Sequence, residues 1–220
     1  IKDAAEAEML LHCGIRYLGF PLRLPVNKED LSEAEAGSII RSLKPPNFGV
    51  LITYLDKASE IAAFCEVLGA RIVQLHGNIE IEELKNLKQS RPDLTVIKSL
   101  VVGLHSEERL ADTVEKMSAY TDAFITDTFD PETGASGATG RTHDWRTSRS
   151  LVELSERPVI LAGGLTPDNV RQAILEIRPD GVDVHTGVEE SSGRKSREKI
   201  KKFITEAKEG FRQIQDSVKT

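Results

Sequence analysis

The sequence predicts an α/β protein of the (β/α)8 TIM-barrel class, with the first strand missing from the chain. Three observations carry this. Short apolar runs alternate with longer amphipathic segments, the mark of repeated βα units around a parallel sheet. A length of 220 residues with 39% hydrophobic content is a size at which such barrels fold as one domain. Glycine-rich turns follow the last two strands, where barrels often hold a phosphate.

Along the chain, the first helix is expected at 3–12 and begins almost at residue 1, where a preceding strand should have just ended. Strands follow at 16–20, 48–53, 71–75, 95–100, 123–127, 159–162 and 181–185, each an apolar run bounded by polar or turn residues. Helices with 3.6-residue periodicity are expected at 32–43, 57–68, 79–89, 106–118, 146–155, 168–176 and 196–216. Gly69 closes one helix, Ser106 with Glu107 and Glu108 opens another, and Thr166-Pro167-Asp168 starts a third. Without a linker or a composition shift, residues 1–220 read as a single domain. The segment 130–142, DPETGASGATGRT, is the long Gly/Ser/Thr stretch. A loop of that kind in a compact domain usually serves function, and this one is expected to cover the site as a lid.

The formal charge of −6 arises from 29 basic and 35 acidic residues spread without long like-charge runs. It gives no footprint for nucleic acid or an anionic membrane. Cys13 and Cys65 fall within helical patterns rather than a disulfide framework, which points to a reducing, cytoplasmic setting. No apolar stretch approaches the roughly 18 residues that span a bilayer, and the first residues are not signal-like.

Strand alternation selects the candidate site residues, because side chains at positions i and i+2 share a face. In VQLHG, Val73 and Leu75 face the helices, leaving Gln74 and His76 on the inner side. In GVDVHTG, Val182 and Val184 face outward, leaving Asp183 and His185 inward. Asp127 ends its strand on the inward parity, where barrel enzymes place catalytic groups, and is a general acid/base candidate. The same position also suits an aspartate that caps a helix or braces a loop. The backbone N–H groups of Gly163, Gly164, Thr186 and Gly187, with a short helix near Val188, form a candidate phosphate cradle that needs no lysine. Paired glycines equally serve plain strand-to-helix turns. Lys98, in the run TVIKSL, either steers a substrate anion or forms an interior ion pair. His12, His105 and His143 share no face, and no HxxxH or CxxC spacing occurs, so no metal is expected.

VQLHG at 73–77, ITDT at 125–128, GATGRTHDW at 137–145, LAGGLTPDNV at 161–170 and GVDVHTGVE at 181–189, in this order and spacing, resemble the signatures of the phosphoribosylanthranilate isomerase family of tryptophan biosynthesis. The resemblance spans about residues 1–210. It implies a cofactor-free Amadori rearrangement of N-(5-phosphoribosyl)anthranilate to the carboxyphenylamino-deoxyribulose phosphate. An acid protonates the ribose ring oxygen, the ring opens to a Schiff base, and a separate base removes the C2′ proton. The acid of that family maps onto Asp127, and its phosphate site onto Gly163, Gly164, Thr186 and Gly187.

Its base is a cysteine in a KICG-like first strand. Because IKDAAEAE begins just after that pair, the base is expected to be absent from these residues. Cys13-Gly14 imitates the motif but reads as the end of the first helix. The family's carboxylate-binding arginine has no match in PLRLPVNKEDLS, where Arg23 is the candidate and Lys28 the next cation. His185 and Ala138 replace residues that are commonly Ser and Gly. The expected substrate-binding set is Arg23, Gln74, His76 and Asp183, with a sugar-phosphate substrate and a monomer or homodimer. The alternative is a related barrel acting on, or silently binding, another sugar phosphate.

Overall fold

The computed structural model describes residues 1–25, 29–128 and 145–218. The expected lid at 130–142, with Ala138, and also His143 and Lys28, lie outside the described residues. The chain forms two compact units. The first comprises 1–99 with 119–122, and the second 100–118 with 123–220.

The first unit contains α1 (Ala4–His12), β1 (Tyr17–Pro21), α2 (Glu33–Ser42), β2 (Phe48–Thr53), α3 (Ala58–Leu68), β3 (Ile72–Leu75), α4 (Ile81–Ser90) and most of β4 (Thr95–Val102). Its strands are parallel and pair in sequence order, with Val50 opposite Ile72 and Leu75 opposite Lys98. They are nearly continuous apolar runs because a parallel sheet is covered on both faces. Leu18, Phe20, Leu51, Phe64, Leu68, Val73, Leu75, Leu84 and Leu87 are all within 1% of full burial.

Helix ends follow local chemistry. The Asp3 side chain accepts from Glu6 N, and Ser32 and Glu35 form a reciprocal capping box that satisfies two otherwise orphaned donors. Gly69 ends α3 in the left-handed conformation, as its sequence position predicts. Asp122 ties the start of β4 in place: its Oδ2 accepts from Val96 N at 2.7 Å and from Lys88 Nζ at 2.8 Å.

The second unit carries the end of β4, α5 (Glu107–Met117), β5 (Ala123–Thr128), α6 (Trp145–Leu154), β6 (Val159–Leu161), α7 (Val170–Ile177), β7 (Gly181–Val182), a 3-10 turn at Thr186–Val188 and α8 (Arg197–Val218). β5, β6 and β7 are parallel and adjacent in that order. Leu100, Val102, Leu110, Val114, Phe124, Leu151 and Val159 form its core, with Met117 and Val152 packed against them. Asp180 repeats the device of Asp122, its carboxylate accepting from Val159 N at 2.8 Å.

Many boundaries shift by a residue or more from expectation, and three of them flank the glycine-rich turns. β6 stops at Leu161 because the next backbone N–H, that of Ala162, donates to the Thr126 hydroxyl at 3.1 Å instead of to a strand. Helix α7 starts at Val170 rather than 168 because the Asn169 side chain accepts from Thr166 N at 2.8 Å and holds 166–169 as a turn. β7 ends at Val182, three residues short of the 3-10 turn, although Asp183 N still donates to Leu161 O.

Candidate active site

In the second unit, β5 delivers Asp127 at its C-terminal end. The carboxyl is half-buried and accepts from the Thr128 N–H at 2.8 Å. Desolvation raises its pKa to about 7; the Asp183 carboxylate adds to the rise, and the Thr128 N–H opposes it. A carboxyl poised there is protonated for a substantial fraction of the time at neutral pH, which an acid needs and a loop-bracing carboxylate does not. Asp183, just past β7, is open to solvent yet closely surrounded by protein. Desolvation raises its pKa, while the Lys195 ammonium and the Val184 N–H lower it.

Thr126 fixes the neighbouring loop. Its hydroxyl bridges both the N–H and the C=O of Ala162, at 3.1 and 3.2 Å, immediately before the glycine pair. Gly163 and Gly164 both have positive φ, 98° and 63°, which other residues adopt only with strain. Asn169 Nδ2 donates to Gly164 O at 3.0 Å and steadies the turn. Gly187 packs directly on this loop, and a Cβ there would collide with the Leu165 carbonyl. The two glycine segments, separated by more than twenty residues in sequence, are therefore in contact through backbone. Thr186 and Gly187 begin the 3-10 turn expected near Val188.

That turn is clamped at both ends by Lys195. Its buried Nζ donates to His185 O at 3.1 Å and to Glu189 Oε1 at 2.6 Å. Lys199 Nζ donates to Glu189 O at 2.6 Å, and Ser196 N to Val188 O at 2.8 Å. His185 Nδ1 lies 3.5 Å from the same Glu189 carboxylate. The cradle thus lacks a lysine of its own but is built on one.

In the first unit, Gln74 and His76 lie on one face with Ser99 of β4, all three buried. Gln74 Nε2 donates to Ser99 Oγ at 3.1 Å, and His76 Nδ1 is 3.1 Å from the same oxygen. Tyr54 packs its ring against the imidazole, centroids 4.9 Å apart. Lys98 points to the opposite face. Its Nζ donates to Leu75 O and Ser99 O at 3.2 and 2.8 Å, and desolvation lowers its pKa to about 8. The interior ion pair expected for Lys98 is corrected: its partners are backbone carbonyls of β3 and β4.

Arg23 is held by contacts of its own. It is exposed, has a φ of 54°, pairs with Glu33 at 2.8 Å and covers the Phe64 ring at 3.7 Å. Cys13 caps α1, with its Sγ 3.9 Å from Met9 Sδ. Cys65 is buried and its thiol is pushed up to about 12, which makes it inert at neutral pH.

Sequence reasoning missed Ser99, Thr126, Asn169 and Lys195. Each acts through another residue; Thr126 and Asn169 lie inside sequence motifs without standing out there, and Ser99 and Lys195 lie in none. Among the described residues, no group of three or more His, Cys, Asp or Glu is arranged to hold a metal. No helix among them is long and apolar enough to cross a membrane.

The chain is similar to known proteins over most of its length. Residues 21–206 match the family described as N-(5'-phosphoribosyl)anthranilate (PRA) isomerase. N-(5'-phosphoribosyl)anthranilate isomerase 2 of Methanosarcina mazei is 35% identical over 98% of this chain and 95% of its own length. The isomerase of Methanothrix thermoacetophila is 31% identical over 93% of each. The solved phosphoribosyl anthranilate isomerase of Thermotoga maritima aligns at a TM-score of 0.78 and 32% identity, covering 95% of this chain and 96% of that one. A phosphoribosyl anthranilate isomerase solved with reduced 1-(o-carboxyphenylamino)-1-deoxyribulose 5-phosphate aligns at 0.76 and 29% identity, covering 95% of each chain. The matched residues cover most of both units. The chain belongs to the N-(5'-phosphoribosyl)anthranilate isomerase family.

Proposed function

We propose that the protein catalyses the Amadori rearrangement of N-(5-phosphoribosyl)anthranilate in tryptophan biosynthesis, with Asp127 as general acid. The observation that carries the residue assignment is the Asp127 carboxyl at the end of β5, desolvated to a pKa of about 7. Its proton passes to the ribose ring oxygen as the C1′–O bond breaks and the anthranilate nitrogen lone pair forms the C=N bond. A separate base then takes the C2′ proton, and the electrons of that C–H bond form the enolamine that tautomerises to the ketone. Acid and base are different groups because each must start in the opposite protonation state. The base remains with the cysteine that the resemblance implies.

Gly163, Gly164, Thr186 and Gly187 are assigned to the substrate phosphate, through backbone donors rather than ammonium groups. Their support is the backbone contact of Gly187 with Leu165, which no larger residue allows. Asp183, Gln74 and His76 are assigned to substrate hydroxyl and nitrogen groups, and Arg23 to the anthranilate carboxylate. Arg23 must exchange Glu33 for that ligand. No cofactor enters the reaction. We infer a cytoplasmic monomer or homodimer; sedimentation decides between the two.

The test is turnover of N-(5-phosphoribosyl)anthranilate by the full-length protein, followed by loss of substrate fluorescence. Turnover that falls sharply in Asp127→Asn supports the reading. Turnover confined to another aminosugar phosphate rejects it.

A further inference from the structure

Gln74, Ser99 and His76 form a chain in which direction matters. Gln74 Nε2 carries only hydrogens, so at 3.1 Å from Ser99 Oγ it donates and the hydroxyl accepts. The hydroxyl's own hydrogen is then available for its other close partner, His76 Nδ1, 3.1 Å away. If Ser99 donates there, Nδ1 is an acceptor, and the neutral ring carries its hydrogen on Nε2. Burial of all three side chains leaves bulk water little role in satisfying these atoms. The Tyr54 ring against the imidazole holds the ring plane, so the tautomer fixes which edge donates.

We propose that Ser99 is a positioning residue that locks His76 in its Nε2–H tautomer, so that His76 meets the substrate as a hydrogen-bond donor and not as the proton-abstracting base. The functional half rests on the assignment of His76 to substrate binding given above; the tautomer half does not. The group recognised is an acceptor oxygen or nitrogen of the substrate. Gln74 then also contributes indirectly, because one of its two amide hydrogens holds the Ser99 hydroxyl in its donating orientation. Ser99→Ala removes the relay with the loss of one oxygen. Ser99→Thr keeps the hydroxyl.

The protein has five histidines, few enough to resolve individually by long-range 1H–15N correlation of the labelled full-length protein. His76 signals are identified by their disappearance in His76→Gln. Well above the ordinary imidazole pKa of about 6.5, wild-type His76 should show its hydrogen on Nε2. Ser99→Ala should show a mixture or a switch to Nδ1, and Ser99→Thr the wild-type pattern. Turnover should fall roughly tenfold in Ser99→Ala, the value of one hydrogen bond, and recover in Ser99→Thr. In the His76→Gln background Ser99→Ala should cost nothing further, because the relay then has no imidazole to set. A hydrogen on Nδ1 in the wild type, or an unchanged tautomer in Ser99→Ala, overturns the proposal whatever the kinetics show. The expected tautomers with additive kinetic losses overturn instead the assignment of His76 to the substrate.

Discussion

Asp183 raises the pKa of Asp127, adding its charge to the larger effect of desolvation and bringing the acid to about 7. Lys195 opposes the same shift in Asp183 itself, which favours its ionised form. Desolvation raises both carboxyl groups, and the Lys195 ammonium offsets part of that rise at Asp183.

The pH dependence of turnover follows from that pair. Asp127 donates only when protonated, so kcat/KM should fall about tenfold per pH unit above its pKa. The alkaline inflection should lie near 7. Asp183→Asn removes the repulsion and should move the inflection to lower pH. An inflection that stays in place in Asp183→Asn would detach the two residues.

Stability should report the same group and fall in the same direction of pH. The folded pKa of Asp127, about 7, exceeds its unfolded value near 3.8. Its contribution is complete below 3.8 and is lost as pH rises through 7. Asp127→Asn escapes that loss. Discounted for partial exposure, the variant should be more stable than wild type by roughly 1 to 2 kcal/mol above pH 8, and little different near pH 4. Denaturant melts at the two pH values measure it.

Gly187→Ala tests the glycine contact. The added methyl would collide with the Leu165 carbonyl, so the turn must move. We expect a destabilisation of about 1 to 3 kcal/mol and loss of inorganic phosphate binding, read by amide shifts at Gly163, Gly164 and Thr186. Undiminished phosphate shifts in the variant would place the phosphate elsewhere.

Arg23 and Glu33 form an exposed ion pair, 42% accessible on each side chain. Such pairs contribute at most about 1 kcal/mol, so a substrate carboxylate can take the guanidinium from Glu33. Arg23→Ala should therefore raise KM several-fold with little change in kcat, while Arg23→Ala and Glu33→Gln should alter melting only slightly. An unchanged KM would remove Arg23 from the substrate.

The alternation of apolar runs and helices was legible in the sequence because strand and helix periodicities differ so strongly; β2 falls on 48–53 as expected. The glycines at 163, 164 and 187 were legible because backbone geometry restricts those positions to that residue. The strand end at Leu161 was not, since it depends on a Thr126 hydroxyl from another strand. Lys195 reads as one more cation in SSGRKS until the fold buries it against Glu189. Ser99 is silent inside TVIKSL because its meaning comes from Gln74 and His76, some 25 residues earlier. Lys98 was singled out for its charge, but backbone carbonyls of two strands answer that charge.

The central claim is that the Asp127 proton opens the ribose ring. Its most direct measurement is the fluorescence decay of N-(5-phosphoribosyl)anthranilate with full-length wild type and Asp127→Asn. Removal of a general acid should lower kcat by about 10²- to 10⁴-fold, with phosphate shifts at Gly163, Gly164 and Thr186 retained. An Asp127→Asn protein that turns substrate over within a few-fold of wild type, with no alkaline inflection lost, would contradict the account.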